Sequence, residues 1–96
     1  MKQLLVHNDF NDIIKNGAWL VDFSATWCGP CRMLEPNLEE FSKEFNVLQV
    51  DVDKFQDLCA DYGIMSVPCL MLFDSGKLIK QTVGYKTLDD LKKFVK

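Results

Sequence analysis

The stretch Asp22–Pro36, "DFSATWCGPCRMLEP", decides how this chain is read. It places Cys28 and Cys31 around Gly29 and Pro30, directly behind Trp27. Just upstream, "AWLVDFS" is a near-continuous apolar run, the pattern of a strand covered on both faces. Downstream, Cys31, Leu34, Leu38, Phe41 and Phe45 recur at steps of three and four, the pattern of a helix with one side on a sheet. Pro36 interrupts that pattern and is expected to kink the helix. The cysteine pair thus sits where a strand hands over to a helix, as a metal clamp, a structural staple or a working redox couple.

With Cys28 as the helix N-cap, Gly29 and Pro30 fill the first turn, where a missing proline N–H costs nothing. Cys31 then lies one turn along on the same side, so the two sulfurs can close a small ring or stand as a dithiol with little backbone movement. The partial positive charge and free N–H groups of the helix N-terminus stabilise a thiolate on Cys28, and a thiolate is the attacking species in disulfide exchange. Cys31 can then attack a mixed disulfide formed at Cys28 and release the product. Zinc needs about four ligands, usually as two close pairs, whereas Cys59 and Cys69 stand far apart in sequence and His7 is alone. A purely structural bridge this short removes little loop entropy and stabilises little.

Composition narrows the field further. A chain of 96 residues, 48% of them hydrophobic, supports one core and one domain, residues 1–96. A net charge of -3 with interspersed signs provides no basic patch for nucleic acid and no polybasic stretch for a membrane surface. No window is apolar enough to span a bilayer, and "MKQLLVHNDF" lacks the features of an export signal, so a soluble, unprocessed chain is expected. Close cysteines without a disulfide framework point to a reducing cytoplasm.

Leu4, Leu5 and Val6 predict a first strand, and Asn8 a helix cap before Phe10, Ile13 and Ile14. "VLQVDVD" alternates as a two-faced strand, and a helix is expected over Gln56–Tyr62, ending at Gly63. "VPCLMLFDSGKLIKQTV" reads as a hairpin about Ser75-Gly76, and Thr87 with Asp90 as a capping box for a last helix carrying Leu88, Leu91, Phe94 and Val95. The order β-α-β-α-β-α-β-β-α predicts an α/β fold, a mixed sheet with a parallel core, a C-terminal antiparallel hairpin and helices on both faces. Asp22 stands out within it. A carboxylate between Val21 and Phe23 in a doubly covered strand is costly to desolvate unless paired or protonated.

At these residues the chain resembles the thioredoxin family. "DFSATWCGPC" looks like the family's active-site segment, "YGIMSVP" like its loop leading to a cis-proline, and "VGY" like its last substrate-groove glycine. The resemblance covers essentially the whole chain and implies the thioredoxin fold. It implies a cytoplasmic, monomeric protein-disulfide reductase with no bound cofactor, recharged by a thioredoxin reductase that draws on NADPH or ferredoxin. Carried over by position, Cys28 resembles the nucleophile, Cys31 the resolving cysteine, Pro68 the cis-proline facing the disulfide, and Asp22 the buried acid–base group beneath Cys31. Trp27, Gly29, Pro30, Val67, Pro68 and Gly84 resemble the apolar patch on which disulfide-containing target proteins dock. A side chain at Gly84 would keep a partner's backbone away.

Departures are visible too. Gln49 stands where many relatives carry a lysine near the buried Asp, Ser24 where some carry a second tryptophan, and Cys69 where threonine is more common. Cys59 and Cys69 are read as small buried hydrophobes, and Trp19, Met33, Met65 and Met71 as core or rim packing. Two rivals stand beside the reductase. One is a disulfide oxidase or isomerase, against which the Gly-Pro pair and the lack of an export signal argue. The other is a binding module or subunit using the same patch, with docking gated by redox state.

Overall fold

The computed structural model describes residues 1–96. Its elements follow in the order β1 (Lys2–Gln3), α1 (Asp9–Ile14), β2 (Ala18–Ser24), α2 (Gly29–Phe41), β3 (Val47–Asp51), α3 (Gln56–Asp61), β4 (Cys69–Asp74), β5 (Lys77–Val83) and α4 (Leu88–Phe94). The five strands form one sheet in the order β1-β3-β2-β4-β5. β1 and β2 run parallel to β3, and β4 runs antiparallel to β2 and β5. The architecture is the expected α/β one.

Alternation along the strands sorts the core into two layers. Val21 and Phe23 of β2, Leu48 and Val50 of β3, and Cys69, Met71 and Phe73 of β4 pack with Phe10 and Ile14 of α1 and Leu58 and Cys59 of α3. Leu20, Val47 and Leu70, one position out of phase, meet Leu34, Leu38 and Phe41 of α2 and Leu91 of α4 on the other face. Both faces of β2 are therefore covered, which is why its sequence lacks alternation. Asp22 is in phase with Leu20, and so lies on the α2 side.

Local signals explain the connections. Ser75 at φ 51 and Gly76 at φ 85 give the hairpin two central residues in the left-handed region, the requirement of a type I′ turn. At the start of α4 the Asp90 N–H donates to Thr87 Oγ1 at 3.1 Å and the Thr87 N–H donates to Asp90 Oδ2 at 3.1 Å, closing the capping box. α2 runs unbroken through Pro36.

Several details differ from expectation: β3 stops at Asp51 rather than Asp53 and α3 at Asp61 rather than Tyr62, because the chain already turns at Val52 and at Tyr62. The first strand is Lys2–Gln3, not Leu4–Val6. Leu4 is buried, but Leu5 and Val6 are exposed. A run of three apolar residues does not say which of them turns inward, and here the chain leaves the sheet edge after Leu4, whose N–H still reaches the Gln49 carbonyl at 2.9 Å. Phe45 lies beyond α2, which ends at Phe41, yet packs back from the following turn with its ring stacked on Phe41 at 5.3 Å. Asn8 precedes α1 without a side-chain capping bond.

Candidate active site

Cys28 is the N-cap of α2, in extended conformation at φ -87 and ψ 118, and its sulfur accepts the Cys31 N–H at 3.2 Å. Gly29 and Pro30 complete the first turn, and Cys28 and Cys31 form a disulfide across it with Cα atoms 5.3 Å apart. The two cysteines are each 5% exposed, so accessibility alone does not distinguish them. Their surroundings do: Cys28 faces the Val67 loop, whereas Cys31 lies over a cleft beneath α2.

The antiparallel course of β4 brings that loop to the disulfide. Cys69 pairs with Phe23, which places the start of β4 beside the end of β2. The Val67–Pro68 peptide is cis, and the Val67 carbonyl oxygen lies 3.8 Å from Cys28 Sγ. The Gly84 N–H donates to the Pro68 carbonyl at 2.8 Å. Gly84 has φ 101, and a Cβ built there would meet nothing within 4 Å, so the space above it is open. Gly29 and Pro30 are exposed, Val67 and Gly84 half-buried and Pro68 buried, and Val67 packs against the cysteine pair.

Trp27 is 68% exposed, at the rim. Its indole Nε1–H donates to Asp53 Oδ2 at 2.9 Å, an anchor that sequence reasoning missed because Asp53 lies in the turn after β3. Met65 is 95% exposed and joins Trp27, Val52, Ile64 and Val67 around an apolar hollow of about 320 Å³. Of the other methionines, Met33 is exposed and Met71 buried.

Asp22 is 1% exposed. Its strand neighbours in register are Gln49 on β3 and Leu70 on β4. The Gln49 amide donates to Asp22 Oδ2 at 3.5 Å, while Oδ1 has no protein donor. Burial pushes its carboxyl from 3.8 up to about 7, with the charge of Glu35 adding to the rise and hydrogen bonds from Gln49 and Ser24 opposing it. The carboxyl is thus poised to take or give a proton near neutral pH.

Cys59 and Cys69 are free and buried on the opposite face of the sheet, in the layer of α1 and α3. Burial raises both thiols, with Asp51 and Cys69 adding to the effect on Cys59, and Asp22 to that on Cys69. They are packing residues that resist ionisation.

A polar cleft of about 290 Å³ opens under the first turns of α2, between Ser24, Cys31, Arg32, Glu35, Gln49 and Lys54. Glu35 was not singled out from sequence, although its position one turn after Cys31 was a sufficient signal for a shared face. No three His, Cys, Asp or Glu side chains converge as a metal site, and no helix is long and apolar enough to cross a membrane.

Against known proteins, residues 2–96 match the family model described as Thioredoxin. The chain belongs to the thioredoxin family. It is 40% identical over 98 residues to the thioredoxin of Chlamydia muridarum, covering 99% of this chain and 96% of that one. It is also 40% identical over 88 residues to the Staphylococcus saprophyticus thioredoxin, covering 88% and 85%. A mutant thioredoxin from Halobacterium salinarum superposes with a TM-score of 0.91 at 36% identity, over 98% of this chain and 86% of that one. Thioredoxin-family membership together with the disulfide closing the first turn of α2 makes the chain a thiol–disulfide oxidoreductase, a carrier whose redox-active bond is Cys28–Cys31.

Proposed function

We propose that this thioredoxin-family chain, a single domain over residues 1–96, reduces protein disulfides in the cytoplasm as a monomer, and that a thioredoxin reductase recharges it with electrons from NADPH or ferredoxin. The observation that carries the proposal is the Cys28–Cys31 disulfide at the N-terminus of α2, facing the cis Val67–Pro68 loop, with Asp22 buried on the α2 side of the sheet.

In the reduced protein, the Cys28 thiolate, favoured by the helix N-terminus, attacks one sulfur of a target disulfide. A Cys28–target bond forms and the other target sulfur leaves as a thiolate that takes up a proton. Cys31 then gives its proton to the Asp22 carboxylate and attacks Cys28 Sγ. The Cys28–Cys31 bond forms, the Cys28–target bond breaks, and the second target sulfur leaves with the electron pair. Two electrons have passed from the dithiol to the target, and no bound cofactor takes part. A carboxyl near 7 suits the base role, since it is substantially ionised at neutral pH yet basic enough to accept a thiol proton.

Pro68 faces the bond undergoing exchange, and Trp27, Gly29, Pro30, Val67 and Gly84 form the ground on which the target lies. The open space over Gly84 and the exposure of Trp27 support that role. The test is insulin reduction by dithiothreitol, followed by turbidity. Catalytic acceleration supports the reductase, and its absence in a protein that still binds targets according to redox state supports the binding module instead. Reduction by a thioredoxin reductase from the same source, NADPH-dependent or ferredoxin-dependent, tests the recharging step.

A further inference from the structure

Two different walls flank the disulfide. Trp27 is tied to Asp53, which follows β3, whereas Gly84 follows β5 at the far edge of the sheet. The wall on the Gly84 side has its own construction. Asn37 of α2 donates its side-chain amide to the Tyr85 hydroxyl at 3.0 Å and to the Lys86 carbonyl at 3.0 Å. Lys86 Nζ in turn donates to the Val83 carbonyl at 3.1 Å and to the Tyr85 carbonyl at 3.4 Å. With the Gly84 N–H on the Pro68 carbonyl, the segment from Val83 to Lys86 is tethered both to the cis-proline loop and to the helix that carries the cysteines.

Tyr85 stays 43% exposed although its hydroxyl and its carbonyl are both engaged, so the surface it offers is largely its ring. The hydroxyl marks where that ring ends, at Asn37, about two turns into α2. Pro30, Met33 and Asn37 recur at steps of three and four and share one side of the helix. Met33, also exposed, therefore stands one turn from Asn37 toward the disulfide. Pro30, Met33, Gly84 and Tyr85 carry no charge, and the ammonium of Lys86 is turned back onto backbone carbonyls. We propose that Tyr85 is a specificity-determining residue for disulfide reduction: its ring, held by Asn37, prolongs the docking ground past Gly84 and receives an apolar side chain of the target's disulfide-bearing segment. The proposal rests on the reading of this chain as a reductase of protein disulfides. A ring that is already held loses little freedom when covered, and it gains from an apolar side chain but not from a strongly hydrated one. The open space over Gly84 leaves room for the segment's backbone to cross from the disulfide to the ring.

The experiment uses linear peptides of Gly and Ser with one cysteine, joined through a disulfide to thionitrobenzoate, and with a single Leu placed in turn at each nearby position on either side of the cysteine. Thionitrobenzoate is the better leaving group, so Cys28 of the reduced protein bonds to the peptide sulfur and the coloured thiolate departs, which stopped flow records. In the wild type, Leu at one position should raise the second-order rate constant about fivefold over the all-polar peptide. Tyr85→Ala should bring that ratio to about one. Tyr85→Phe and Asn37→Ala, which keep the ring but free it, should fall in between. Where a thermal melt shows Tyr85→Ala unfolded, Tyr85→Gln, which can still accept the Asn37 amide, takes its place. A ratio that survives the loss of the ring overturns the proposal: the preference then belongs to the Trp27 hollow, and any uniform slowing of all peptides marks Tyr85 as a loop tether. A wild type that attacks polar and Leu peptides alike overturns it too, with the reductase reading left standing. If the wild type reduces neither these peptides nor insulin, the reductase reading fails and takes this proposal with it.

Discussion

Replacing Asp22 by Asn should stabilise the fold at alkaline pH, fail to do so in acid, and slow mixed-disulfide release. Asp22 titrates at about 7 in the folded chain against 3.8 for the free group, and burial is the main cause. A difference of about 3 units corresponds to about 4 kcal/mol. The folded state holds a proton that the unfolded chain has already lost between these two values, so stability falls as pH rises through that window. Below pH 3.8 both states are protonated and the penalty is absent; above about pH 7 it is fully developed. Asparagine removes the penalty. One amide oxygen can keep the Gln49 contact, but its NH₂ then occupies the place of Oδ1, which has no protein partner, and an unsatisfied buried donor costs about 1–3 kcal/mol. The net gain is therefore about 1–3 kcal/mol above pH 8, turning into a loss of about the same size at pH 4. Urea melts of oxidised wild-type and Asp22→Asn protein between pH 4 and 9 measure this directly, since other titrating groups cancel in the difference. A stability difference that does not change with pH would refute the reasoning. Release of a mixed disulfide should slow while the first attack by Cys28 changes less, as followed by stopped flow.

Cys31→Ser should trap target proteins as mixed disulfides on Cys28, and Cys28→Ser almost none; equal trapping would reverse the assigned roles. In the oxidised native protein, Cys59 and Cys69 should resist iodoacetamide until denaturant is added, because burial both shields and raises their thiols. Mass mapping should find the Cys28–Cys31 bridge and no link to Cys69, which faces the opposite layer of the sheet. Gly84→Ala should cost about 1–3 kcal/mol in a thermal melt, given its φ of 101. It should also slow reduction of a protein disulfide more than that of a small one, and equal slowing would place Gly84 outside the docking surface.

Where a signal was local, the sequence announced it. Ser75-Gly76 had to turn, Thr87 and Asp90 had to cap, and the doubly covered "AWLVDFS" run became β2 with the same limits. The cysteine pair at the strand–helix junction was legible for the same reason, since spacing fixes its place on the first turn. The edge strand β1 was misplaced because edge pairing answers to neighbouring backbone rather than to apolar content, and Leu5 and Val6 remain in solvent. Phe45 extended the helical rhythm past the helix because a turn can return a ring to the same core. The Asp53 anchor of Trp27 and the Glu35 cleft were less legible. The i, i+4 spacing puts Glu35 on the Cys31 side of α2, but the Trp27–Asp53 contact and the far wall of the cleft come from separate segments, and no periodicity marks such a meeting.

The position of β2 in the sheet order has a kinetic consequence. It is hydrogen-bonded to β3 on one side and β4 on the other, and its last five residues are buried. Strands in such a position give up their amide protons only when the whole molecule opens, whereas edges such as β1 and β5 fray independently. The segment carrying Trp27, Cys28 and Cys31 follows directly on this central, doubly paired strand. Breathing at either sheet edge can therefore proceed without disturbing the register between the redox bond and the carboxyl of Asp22.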